Sequence, residues 1–106
     1  MKAPERGEVW LVDLGMAAKI RTCLVISVSA AAEDRAIATV IPHTTSLRGS
    51  RFEVTVQKRF LRSGGFDAQN PITIAHAKII RRLGSLNFDE LVLVEQQVKR
   101  WLGISP

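Results

Sequence analysis

A single cysteine, Cys23, is present in the sequence. No internal disulfide can form from it, and that fits a reducing compartment. Cys23 lies in the apolar run CLVIS, where a free thiol serves as a small buried hydrophobe rather than as a nucleophile. No apolar run approaches the ~20 residues a membrane-spanning helix needs. The opening MKAPERGEV lacks the apolar stretch of a secretory signal. A cytoplasmic protein with no membrane partner is therefore expected. His, Cys and acidic residues nowhere stand at metal-ligand spacing, and no glycine-rich phosphate loop of the P-loop kind occurs, so no metal or other cofactor is expected. Internal repeats, low-complexity tracts and linkers are also missing, and 106 residues suffice for one small domain, 1–106, and not two.

Positive charge is plentiful. Fifteen Lys and Arg face ten Asp and Glu, a net charge of +5. Such a balance suits an anionic partner such as nucleic acid, or simply a soluble basic surface. Hydrophobic residues make up 46% of the chain, enough for a globular core.

The apolar pattern predicts strands over residues 8–14 (EVWLVDL), 21–28 (RTCLVISV), 36–41, 52–58 and 70–75. Residues 36–41 read as a strand buried on both faces, because Ile37, Val40 and Ile41 form a nearly continuous run. Phe52, Val54 and Val56 alternate with polar neighbours, as a half-buried strand would. Pro42 cannot donate to a ladder and is expected to end the third strand, and Pro71 is expected at an edge or bulge. Residues 60–65 read as a loop with a Gly-Gly turn, and 76–86 fit a strand or a short helix equally. Residues 87–103 predict a helix. Asn87 is its N-cap, Glu90 completes a capping box, and Leu86 with Leu91 forms a hydrophobic staple. Leu91, Val94, Val98, Trp101 and Leu102 recur on one face, Lys99 and Arg100 suit the C-terminal dipole, and Gly103 is the C-cap. Trp101 and Trp10 are expected as core or interface anchors rather than as base-stacking platforms. Strands at short intervals with one terminal helix predict a mostly β fold of the α+β class, a small bent sheet or barrel carrying that helix.

Between the third and fourth predicted strands runs PHTTSLRGSR, a loop of hydroxyls, an imidazole and two guanidinium groups. Such groups suit a phosphate backbone. Together with Arg6-Gly7-Glu8-Val9-Trp10, Arg21-Thr22-Cys23-Leu24-Val25-Ile26-Ser27 and Ile41-Pro42-His43-Thr44, this order of motifs resembles the MazF/PemK family of toxins from type II toxin–antitoxin modules. The likeness continues through Gly49, Phe52-Glu53-Val54 and the terminal helix. It implies an SH3-like β-barrel of the CcdB/PemK kind and a homodimer. It further implies a metal-independent endoribonuclease acting on single-stranded RNA, an mRNA interferase, and a cognate antitoxin with an acidic tail. Arg21 and Thr44 match the positions that carry cleavage in the family. The sequence departs from the pattern at Thr22, where the family has Pro, in the short connection 15–20, and in residues 69–75. There an acid, an Arg and an Asp of the family pattern are absent.

Metal-free cleavage uses the RNA's own 2′-hydroxyl as nucleophile, so the protein must activate that hydroxyl, stabilise the phosphorane and protonate the leaving 5′-oxygen. Arg21 suits the second task, because its planar fork stays charged and meets phosphate oxygens, and Thr44 can donate to the same phosphate. His43 is a candidate for acid–base work or RNA contact. Strand neighbours point to opposite faces, which argues against His43 and Thr44 sharing a site unless the chain turns after Pro42. His76 is a weaker candidate. Lys19, Thr45, Arg48, Arg51 and Lys78 are expected to bind RNA, whereas Arg62, Arg81 and Arg82 read as solvated surface cations. Two rival functions stay open: a non-enzymatic gyrase-binding toxin of the CcdB kind, and a catalytically weak RNA-binding barrel.

Overall fold

In the computed structural model, residues 3–15 and 20–104 are described. The strands are β1 (Glu8–Asp13), β2 (Ile20–Val25), β3 (Ile37–Thr44), β4 (Glu53–Val54), β5 (Gly65–Asp67), β6 (Ile72–Ala75) and β7 (Ile79–Ser85), and the chain ends in the helix α1 (Phe88–Leu102). All pairings are antiparallel. The order is β4-β5-β3-β2-β1-β7, with β6 also paired to β3. This is the expected mostly β architecture with one terminal helix. The curled sheet is not closed: β4 and β7 end the path without pairing to each other.

Register explains why the central strands read as continuous apolar runs. Val9 faces Leu24 and Leu24 faces Ile41, so these three share one face of the sheet. They join Phe52, Val56, Phe66, Leu86, Val94 and Val98 in a first core, beneath α1. Trp10 faces Cys23 and Val25 faces Val40 on the opposite face, where Val12, Ala38 and Ile79 complete a second core. With both faces buried, β1, β2 and β3 cannot alternate apolar with polar. Each such side chain contributes about 1.5–3 kcal/mol when fully buried. Cys23 is wholly buried, and burial pushes its thiol up to about 12 although Arg21 opposes the shift.

Pro42 does not end β3. It stands opposite Cys23, and the strand runs on to Thr44. On its other edge β3 pairs with β6 as far as Val40 and with β5 from His43 onward. Pro42 falls in the gap between these two ladders, so the N–H it lacks leaves no ladder bond unmade. The fourth strand is shorter than its alternation suggests, because β5 offers only three residues to pair with. Phe52 and Val56 are nonetheless buried as expected. The Gly-Gly segment opens into β5 rather than remaining a loop: Gly65 is its first residue and Phe66 is fully buried. Residues 76–86 resolve into a 3₁₀ turn, His76–Lys78, followed by β7. Two register shifts against β1 break the period-2 pattern of β7. Pro71 precedes β6, which pairs with β3 alone and is an edge strand.

The helix follows its signals. The Asn87 side chain accepts from the Glu90 N–H at 2.9 Å, and Glu90 accepts from the Asn87 N–H at 2.8 Å. Gly103 takes the left-handed conformation (φ 73°), and the Ile104 N–H donates to the Lys99 carbonyl at 2.9 Å. Val94 and Val98 face the core, and Leu91 with Leu86 joins it. Leu102 is exposed, and Trp101 lies at the rim, half-exposed, its ring edge-on to Phe52 at 5.6 Å.

Candidate RNA-binding groove

At one end of the sheet lies an open groove of about 890 Å³. Its floor is the last turn of β3, Pro42 to Thr44, and the start of β2, Ile20 to Thr22. Arg81 and Leu83 of β7 border one side, and Thr45, Ser46, Arg48, Glu53 and Asp67 the other. The ladder between β2 and β3 pairs Leu24 with Ile41 and Cys23 with Pro42. The ladder ends there, and Arg21 and Thr44 lie two residues beyond it on their strands, both lining the groove.

The loop after β3 is held in place by one carboxylate. Glu53 accepts from the Arg48 N–H at 2.9 Å and from the Ser50 N–H at 2.9 Å. The Arg48 backbone N–H above all, with those of Ser50 and Gly49, holds the Glu53 carboxyl below the usual carboxylate range. Gly49 takes a left-handed conformation (φ 79°) that lets the loop turn. The Thr44 hydroxyl oxygen accepts from the Ser46 N–H at 3.0 Å. Its own proton stays available to donate into the groove.

His43 and Thr44 point to opposite sides of β3, and both border the groove. His43 is only 7% exposed. Its ring meets Phe66 edge-on at 5.0 Å, and Nε2 has no hydrogen-bond partner. Burial lowers its pKa below the usual histidine value, so the imidazole is neutral near pH 7. A lowered folded pKa means that the unfolded chain takes up the proton first. The stability this contributes is complete above about pH 6.5 and is lost as pH falls below that value, by at most about 1.4 kcal/mol per pH unit. Urea midpoints at pH 7.5 and 5.5 will fall further for the wild type than for His43→Phe, which keeps an aromatic ring on Phe66 and cannot titrate. Equal falls in the two proteins would show that His43 titrates alike in both states.

Of the expected RNA-binding residues, Thr45 and Arg48 line the groove. Two do not. Arg51 stacks over the Phe52 ring at 4.6 Å, and Lys78 lies exposed in the 3₁₀ turn, away from the groove lining. His76 is in that turn too. Lys19 lies outside the described residues. Arg62 and Arg81, which read as surface cations, do line the groove. Nothing in their local sequence marks them: β7 turns Arg81 to the groove through a bulged pairing that apolar periodicity does not encode. Arg82, its neighbour, is instead held by Glu8 at 3.1 Å. Among the described residues, Arg21, Arg48, Arg62 and Arg81 form no ion pair, and no group of three His, Cys, Asp or Glu could hold a metal ion.

Solved structures with this fold are numerous. A mycobacterial endoribonuclease superposes with a TM-score of 0.82 at 23% identity, covering 100% of this chain and 97% of that one. A mycobacterial endoribonuclease in complex with its cognate antitoxin gives 0.81 at 23%, covering 100% and 99%. A MazE-MazF structure from Deinococcus radiodurans gives 0.84 at 23%, covering 98% and 100%. Among curated proteins no match is found. The model of the PemK-like, MazF-like toxins of type II toxin–antitoxin systems matches residues 5–102. With nearly the whole chain matched, the protein belongs to the PemK-like, MazF-like family of type II toxins.

Proposed function

We propose that this toxin is an endoribonuclease that cleaves single-stranded RNA without a metal ion. The observation that carries the reading is that Arg21 and Thr44 line one groove together with Arg48, Arg62 and Arg81, guanidinium groups without an ion pair among the described residues. Arg48, Arg62 and Arg81 attract and position the phosphate backbone. The 2′-hydroxyl gives up its proton to solvent as its oxygen bonds to the adjacent phosphorus, the P–O5′ bond breaks, and the departing 5′-oxygen takes up a proton from solvent. Negative charge grows on the non-bridging oxygens as the phosphorane forms. Arg21 meets that charge with a planar pair of donors, and the Thr44 hydroxyl adds a third. In this reading His43, its Nε2 buried, shapes the floor rather than exchanging protons with the strand. Support comes from the similar structures that are endoribonucleases. MazE-MazF complexes and the antitoxin complex support a cognate antitoxin as partner, its acidic tail suited to the same cationic groove. The toxin acts as a homodimer in this reading.

Incubation of the purified protein with long single-stranded RNA in excess EDTA tests the chemistry. The expected products carry 2′,3′-cyclic phosphate and 5′-hydroxyl ends. Dependence on Mg²⁺, or 5′-phosphate ends, would overturn it.

A further inference from the structure

Asp67 is the odd group in this groove. It lines a groove that also holds the guanidinium groups of Arg21, Arg48, Arg62 and Arg81, and none of them forms an ion pair with it among the described residues. Its Oδ1 accepts from the Gln69 N–H at 3.2 Å. That bond uses one of the roughly four acceptor positions a carboxylate offers. Glu53, opposite it in the ladder, is already committed to the loop backbone. A free carboxylate repels the phosphates of a bound strand and weakens backbone binding. What it can attract in RNA is a hydrogen-bond donor, and donors lie on base edges.

The chemistry of the edges selects one base. The Watson–Crick edge of guanine presents two adjacent donors, the ring N1–H and the 2-amino group, which match the two oxygens of a carboxylate. Adenine and cytosine set one amino donor beside a ring acceptor that would face a carboxylate lone pair. Uracil has a single N–H between two carbonyls. The backbone around Asp67 is fixed on one side by β4 and on the other by β3, whose His43 pairs with Asp67's strand neighbour Phe66.

We infer that Asp67 is a specificity-determining residue that reads a guanine beside the scissile phosphate. This rests on the RNA-cleaving reading of the groove and adds which base it selects. Asp67→Asn is a suitable variant, because its amide oxygen can keep the bond from the Gln69 N–H while the paired acceptors are lost.

The experiment first maps wild-type cleavage of a mixed-sequence RNA, with guanine expected at one fixed position of most cut sites. That guanine is then replaced by inosine, which lacks only the 2-amino group. Wild-type kcat/KM should fall about tenfold or more, the size of a lost hydrogen bond to a charged group. Asp67→Asn should cut the two substrates at nearly equal rates. Binding of guanine and inosine oligomers by fluorescence anisotropy gives a readout independent of cleavage, and tighter wild-type binding of guanine supports the inference even where no cutting occurs. Cleavage without guanine enrichment, or an inosine penalty that persists in Asp67→Asn, overturns the inference and leaves the nuclease reading standing. A wild type that neither cuts nor binds RNA overturns both.

Discussion

Arg21→Ala will lower kcat by about 10²–10³-fold, roughly 3–4 kcal/mol of transition-state stabilisation, with little loss of RNA affinity. The expectation follows from position. Arg21 and Thr44 line the groove where the proposed mechanism places the growing charge, and Arg48, Arg62 and Arg81 line it too. An interaction made only in the transition state appears in kcat, whereas a backbone contact appears in affinity. Arg21→Lys should rescue poorly, since an ammonium lacks the planar fork. Thr44→Ala should fall on the kcat side with Arg21. Thr44→Ser should retain most activity, because a serine hydroxyl can both accept from the Ser46 N–H and donate to phosphate. Arg48→Ala should weaken binding and reduce its salt slope by about one. Single-turnover rates at saturating RNA, set beside binding curves, separate these classes. Cleavage by Arg21→Ala at the wild-type rate would make Arg21 one more groove cation.

The second large effect is structural. Gly64→Ala should destabilise the fold by about 3 kcal/mol or more, at or beyond the upper end of ordinary overpacking. A Cβ at Gly64 would lie 2.0 Å from the Thr44 carbonyl oxygen and 2.9 Å from its carbon. Both are backbone atoms of a strand that pairs with the next residue, Gly65, so neither can swing aside as a side chain would. Relief requires parting β3 from β5, and that would displace Thr44 itself. Gly65→Ala offers a graded comparison. Its nearest contacts are a flexible Leu47 methyl at 3.1 Å and the Val54 oxygen at 3.2 Å, and a smaller loss is expected. Urea midpoints with unchanged m-values measure both. A Gly64→Ala protein as stable as the wild type would mean that β5 sits further from β3 than described.

Much of this architecture is legible in the sequence where local signals and tertiary demand agree. Asn87, Glu90 and Gly103 mark the helix because capping is chemistry between near neighbours. Arg21 and Thr44 are singled out through motifs whose order is specific although each is short, and both line the groove. Other features depend on partners distant in sequence. Pro42 reads as a stop, and only the gap between β6 and β5 shows why it is tolerated in mid-strand. The shortness of β4 is set by β5, and β5 hides behind two glycines whose purpose is close approach to Thr44 and Val54. Arg51 and Lys78 look as suitable for RNA as Arg48 does, yet neither lines the groove: one stacks on Phe52 and the other sits in the 3₁₀ turn. Arg62, Arg81 and Asp67 carry no local mark of their place, because a groove is assembled by pairing and not by periodicity.

The central place of β3 has a consequence for how the groove opens. The strand is flanked by β6 over Ile37–Val40, by β2 over Val40–Pro42 and by β5 from His43 on, so its amides should exchange with solvent only when the whole domain unfolds. The opposite wall hangs from the two-residue strand β4 and the loop tied by Glu53, a unit that can open locally at a fraction of that free energy. The floor bearing Thr44 thus belongs to the last part of the molecule to unfold and Arg48 to one of the first. A bound strand could lever the Arg48 side outward, as a hinged jaw moves against an anvil, without disturbing the groups beneath the scissile phosphate.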